Sequence, residues 1–130
     1  MIQKTIEFLE RQKKLLAVLI ALLTILTLLF TLLPSDNLFE SSVWKFDKLG
    51  HTLLFGTWTF LLGLYILIAT KKSLPLFALF LIGAFFGISI EILQEVLPVN
   101  RAADPYDALA DMIGCLIAVI SLKFITRKSD

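Results

Sequence analysis

The sequence predicts an all-α, polytopic membrane protein: four transmembrane helices in a compact antiparallel bundle, with both termini cytoplasmic. Three observations predict it. Of the 130 residues, 58% are hydrophobic, and they are gathered into long runs between short charged segments. Four of those runs reach the roughly 20 apolar residues that a spanning helix requires. When the runs are threaded alternately through a bilayer, nine of the twelve Lys and Arg residues fall on one side, and such a bias marks the cytoplasmic side. The length suits one domain over residues 1–130.

The first span, about residues 15–33, reads "LLAVLIALLTILTLLFTLL" and carries no charge. Its apolar run exceeds the roughly 7–15 residues of a signal peptide, and no small-x-small cleavage site follows. It is read as a retained helix ended by Pro34. The second, about 46–69, opens on "KFDKLGHTLLFG". The third, about 74–97, follows Lys71 and Lys72 and stops before Pro98. Its Gly83-x-x-x-Gly87 pair offers a close helix contact, as do Gly56, Gly63 and Gly114 in the second and fourth spans. The fourth, about 106–125, opens with Asp104 as N-cap, Pro105 at the first helical position and Asp107 at the third, where an acid is favoured.

The net charge of +1 gives no pointer to nucleic acid. The single cysteine, Cys115, excludes an intrachain disulfide and sits in an apolar run, as a core residue does. The acids are more informative. With the N-terminus inside, the inner segments hold nine basic and three acidic residues, and the outer segments three basic and eight acidic ones, a net −5. Acids contribute little to topology, so the outer end is expected to serve a purpose of its own.

Ionisable groups in a spanning helix are expensive and face the bundle interior or a wet cavity. Asp47 and His51, four apart, share one face of the second span. Glu91, Gln94 and Glu95 lie together near the end of the third. Asp104, Asp107 and Asp111 make a stripe on the fourth, and capping explains the first two better than it explains Asp111. At about 1.5 Å of rise per residue, His51, Glu91 and Asp111 all sit about 9–11 Å below their helix ends, so the three can meet. Asp47, Gln94, Arg101 and Asp107 lie nearer the mouth. Asp47, one turn above His51, is placed to orient its ring, and Lys48 reads as a side chain that snorkels to the interface.

Three chemistries fit these residue types. His51, Glu91 and Asp111 are candidates for acid/base catalysis and equally for holding a divalent metal, although nothing in the sequence requires a cofactor. The set can also bind a polar head group, with Arg101 as the one outer-loop guanidinium for a phosphate. An anionic ligand would need Arg101 or a bridging cation against the acidic surroundings. Neither Ser89 nor Cys115 has the base nearby that a nucleophile needs. A bundle that only fixes its own packing is the plainer reading, but such interhelical bonds give only about 0.6–2 kcal/mol each. An internal echo adds one more relation: "FDKLGHTL" (46–53) laid over "YDALADMI" (106–113) gives a parallel repeat at an offset of 60 in which His51 and Asp111 are equivalent.

The pieces "DKLGHTLLF", "EILQEVLP" followed closely by Arg101, and "DPYDALADMIG" occur in that order over three of the four spans. In them the chain resembles the VanZ-like family of small bacterial membrane proteins, named for a protein associated with resistance to the glycopeptide teicoplanin. The resemblance singles out Asp47, Lys48, His51, Glu91, Gln94, Arg101, Asp107, Asp111 and Gly114. It departs at Asp111, where asparagine is the more usual residue. It implies a multi-pass protein of the bacterial cytoplasmic membrane whose partner is a membrane lipid, a lipid head group or a lipid-linked wall precursor, and it supplies no defined reaction. Two other classes stand beside that one: a membrane-embedded enzyme acting on a lipid head group, and a proton- or cation-coupled transporter. The last is disfavoured because the inner halves of the spans carry no ionisable residue to continue a path.

Overall fold

The computed structural model describes residues 2–32, 47–71, 75–97 and 103–127. It contains four α-helices and, among the described residues, no strand: α1 (Ile2–Leu32), α2 (Asp47–Thr70), α3 (Leu76–Val96) and α4 (Pro105–Arg127). Each is long and apolar enough to cross a membrane, so the chain is a multi-pass membrane protein. The bounds lie close to the expected ones except at the N-terminus, where the polar segment before Leu15 continues the helix to Ile2. Pro34, Trp44, Pro98 and Arg101 lie outside the described residues.

The helix ends follow from local chemistry. Leu97 is extended (φ −84°, ψ 146°), because the proline after it excludes the helical conformation. At the start of α4, Asp104 caps as the spacing predicts. Its Oδ1 accepts from the Tyr106 N–H at 2.9 Å, and its carbonyl accepts the first helical bond from the Asp107 N–H.

The most extensive contact joins α2 to α4, two helices that are not neighbours in the chain; α3 packs mainly on α4 and α1 mainly on α2, and the described part of α1 does not reach α4. Numbers rise together along the α2–α4 seam, from His51 with Asp111 through Thr59 with Cys115 to Gly63 with Leu122, so the two run parallel. Their approach is backbone on backbone. A Cβ on Gly114 would lie 2.9 Å from the Gly56 nitrogen and closer still to the Thr52 carbonyl oxygen. Small residues at this crossing are what permit it. Around the seam, Phe55, Ile90 and Cys115 form one buried cluster and Leu79, Val119 and Leu122 another. Helix α1 is tied on by Trp58, whose indole Nε1–H donates to Thr24 Oγ1 at 2.8 Å. Large apolar side chains cover much of the outside, among them Phe77, Phe85, Ile92 and Phe124, which suits contact with hydrocarbon.

Candidate functional site

One end of the bundle gathers the start of α2, the end of α3 and the start of α4. The matched depths expected of His51, Glu91 and Asp111 hold: all three are buried, and each offers a donor atom within 4.8 Å of the others. His51 is the centre. Its Nδ1 lies 2.9 Å from Asp111 Oδ1, a bond in which the ring N–H donates and the carboxylate accepts. Its Nε2 faces Asp47 Oδ1 at 3.9 Å and Asp107 Oδ2 at 3.8 Å. Phe55, one turn deeper on α2, stacks parallel to the imidazole with centroids 6.2 Å apart. The ring is therefore oriented chiefly by Asp111 from across the seam; Asp47, expected to do this, stands a little farther off.

Asp111 has no exposure at all. Its Oδ2 lies against Gly87 of α3, where a Cβ would come within 2.7 Å of that oxygen. Gly87 is thus needed as a hollow for the carboxylate, and Gly83 one turn earlier receives Cys115 in the same way. Glu91, one turn beyond Gly87, accepts the Asp104 backbone N–H on Oε2 at 2.9 Å. That leaves Glu91 Oε1 and Asp111 Oδ2, both buried, without a hydrogen-bond partner among the described residues. Two such oxygens in one cluster are unusual, since an unsatisfied buried polar atom costs about 1–3 kcal/mol.

Nearer the mouth, Lys48 does more than snorkel. Its ammonium donates to Asp104 Oδ2 and Asp107 Oδ1, each at 2.8 Å, and lies 5.9 Å from the Tyr106 ring centroid. Held by Lys48 and by the Tyr106 N–H, the Asp104 carboxyl, just outside the membrane-spanning part of α4, is kept below the usual carboxylate range. Gln94 is buried but turns away from the cluster: its Nε2 donates to the Thr31 carbonyl of α1 at 2.7 Å. Arg101 lies outside the described residues. Ser89 donates to the Phe85 carbonyl of its own helix and joins no catalytic pair.

Asp104 belongs to this site although the sequence accounts for it as a cap. The signal was hidden because its role toward Glu91 is carried by a backbone N–H. Thr52 is a second such residue, its Oγ1 within hydrogen-bond distance of the Lys48 and Ala110 carbonyls and so bridging α2 to α4 just beside His51.

Among the described residues the cluster thus sets five carboxylates (Asp47, Glu91, Asp104, Asp107 and Asp111) against one ammonium and one imidazole. An imidazole flanked by carboxylates can pass a proton, hold a cation or accept hydrogen bonds from a hydroxylated or amide-bearing group. No curated protein and no solved structure matches the chain. The motifs on which this geometry rests, from Asp47 through Gly114, lie inside the stretch, residues 4–126, that the VanZ/LLP1 family model matches, and the chain belongs to the VanZ/LLP1 family.

Proposed function

We propose that this protein uses the polar cluster at the His51 end of the bundle, on the outer face of a bacterial cytoplasmic membrane, to engage the head group of a cell-envelope lipid or a lipid-linked wall precursor, and thereby lowers susceptibility to teicoplanin-type glycopeptides. The observation that carries the reading is the pair of buried carboxylate oxygens, on Glu91 and Asp111, left without partners beside a buried histidine. Polar groups kept at such expense within membrane spans mark ligand or ion paths. A bundle serving only its own packing would satisfy them. Family membership supports the link to glycopeptides, and the excess of Lys and Arg on the opposite side supports the outward orientation.

The test is genetic. Expressing the protein in a glycopeptide-sensitive strain raises the teicoplanin concentration needed to stop growth, and Asp111→Asn and Glu91→Gln, expressed to the same level, abolish the rise. An unchanged susceptibility with the wild-type protein in the membrane refutes the reading. A second reading, acid/base chemistry on the head group, draws on His51, whose ring is held by Asp111 with Nε2 turned toward two further carboxylates. It predicts a chemically altered lipid in extracts of expressing cells.

A further inference from the structure

We propose that His51, Glu91 and Asp111 form a binding site for one divalent transition-metal cation of the zinc or manganese type. The proposal stands on the cluster's geometry and is independent of which lipid the protein engages. One donor atom from each residue lies within 4.8 Å of the other two. Zinc bonds to nitrogen and carboxylate oxygen at about 2.0–2.2 Å in tetrahedral sites, which puts donor atoms about 3.3–3.6 Å apart. The three donors come from three packed helices at one depth, so the site requires them to close by about 1 Å toward that spacing.

Three features support this set. First, Glu91 Oε1 and Asp111 Oδ2 are the described buried side-chain atoms that lack a partner, and their residues are 6% and 0% exposed. An ion coordinated by both carboxylates supplies what they lack. Second, two carboxylates and a neutral imidazole around a dication form a neutral group, the form in which buried charge is least costly. Third, the shallower combination of Asp47, His51 and Asp107 also brings its donors within 4.8 Å, but the Lys48 ammonium already holds Asp107 at 2.8 Å.

The surroundings complete the design. The ion takes Nδ1 of His51, the nitrogen now bonded to Asp111, and the ring proton passes to Nε2. Metal-bound histidines usually donate their other N–H to a carboxylate, and Asp47 and Asp107 stand 3.9 and 3.8 Å from Nε2. Glu91 is itself steadied by the Asp104 N–H. Imidazole in the set selects against magnesium and calcium, which prefer oxygen donors alone. Three protein ligands leave a fourth position for water or an incoming oxygen of the phosphate type.

The experiment uses the full chain, purified in non-ionic detergent without added lipid, stripped with chelator and then equilibrated with Zn²⁺ or Mn²⁺ alone. The expected result is one ion retained per chain after desalting, with Glu91→Gln and Asp111→Asn each weakening the affinity by at least about tenfold. Asp47→Asn weakens it less. Should those variants fail to fold, the wild type decides: its unfolding midpoint rises with Zn²⁺ and returns with EDTA, because a ligand that binds only the folded state stabilises it. No retained ion, no metal-dependent rise in midpoint, or retention that both variants share overturns the proposal. So does a site lost in Asp47→Asn and Asp107→Asn but kept in Glu91→Gln. Since no lipid is present, a negative result here leaves the teicoplanin reading standing, and a negative susceptibility result leaves the metal site standing.

Discussion

Replacing Gly114 by alanine tests the central packing argument, because one methyl group strikes only backbone. Its Cβ would lie 2.9 Å from the Gly56 nitrogen, 3.0 Å from the Thr52 carbonyl carbon and closer still to the carbonyl oxygen. None of these can swing aside as a side chain end can. To restore an ordinary contact of about 3.5 Å, α2 and α4 must part by on the order of 1 Å at this level. Overpacking of this kind costs about 1–3 kcal/mol. Asp111 is less than one turn from Gly114, so the parting also stretches the 2.9 Å bond to His51 beyond bonding range, a further loss of about 0.6–2 kcal/mol. The expected total is about 2–5 kcal/mol. Gly50 is the control on α2, since a Cβ there meets nothing within 4 Å. Gly50→Ala is expected to be neutral or to stabilise by up to about 1 kcal/mol through its better helix propensity. Reversible unfolding in mixed detergent–SDS micelles, followed by circular dichroism, gives both differences. If Gly114→Ala matches the wild type in stability, or Gly50→Ala is equally harmful, the close α2–α4 seam is wrong.

Other consequences can be checked in the same protein. Lys48→Met strips the buried Asp107 of its ammonium and should destabilise the fold by about 1–2 kcal/mol, a value discounted from the about 1.5–3 kcal/mol of bonds to charged groups because Lys48 is half exposed; Lys48→Arg should recover part of the loss. Gln94→Leu leaves the Thr31 carbonyl without the Nε2 donor that ties α3 to α1, and a loss of about 0.6–2 kcal/mol should appear as earlier release of α1, read by Trp58 fluorescence. Cys115 has no exposure, so a maleimide should leave it unmodified until the protein is unfolded; rapid labelling in the native micelle contradicts the buried seam. On that unreactive background, Ala103→Cys should react with a membrane-impermeant maleimide added to intact cells and Lys71→Cys should not, and the reverse pattern inverts the proposed orientation.

Much of this architecture is written locally. The four spans, their caps and their ends follow from runs of apolar residues, from Asp104-Pro105 before α4 and from Pro98 after α3, because hydropathy and capping act over a few residues. Depth is legible too: helix rise per residue is fixed, so counting from the helix ends was enough to bring His51, Glu91 and Asp111 to one level. The lateral arrangement was not legible. Sequence spacing gives the face of each helix but not the neighbour that face meets, and the tightest seam joins α2 to α4, which are not neighbours in the chain. That seam exists because Gly56 and Gly114 let two backbones touch, a property of both helices together. It decides that Asp111, rather than Asp47 on the same helix, holds the His51 ring. It also turns Lys48 onto Asp104 and Asp107, while the α1–α3 contact draws Gln94 away to Thr31. His51, Glu91 and Asp111 and their common depth were determined by the sequence alone; the membership of Asp104 and Thr52, which groups bond, and which two oxygens are left over were decided by the rotation and packing of helices against one another.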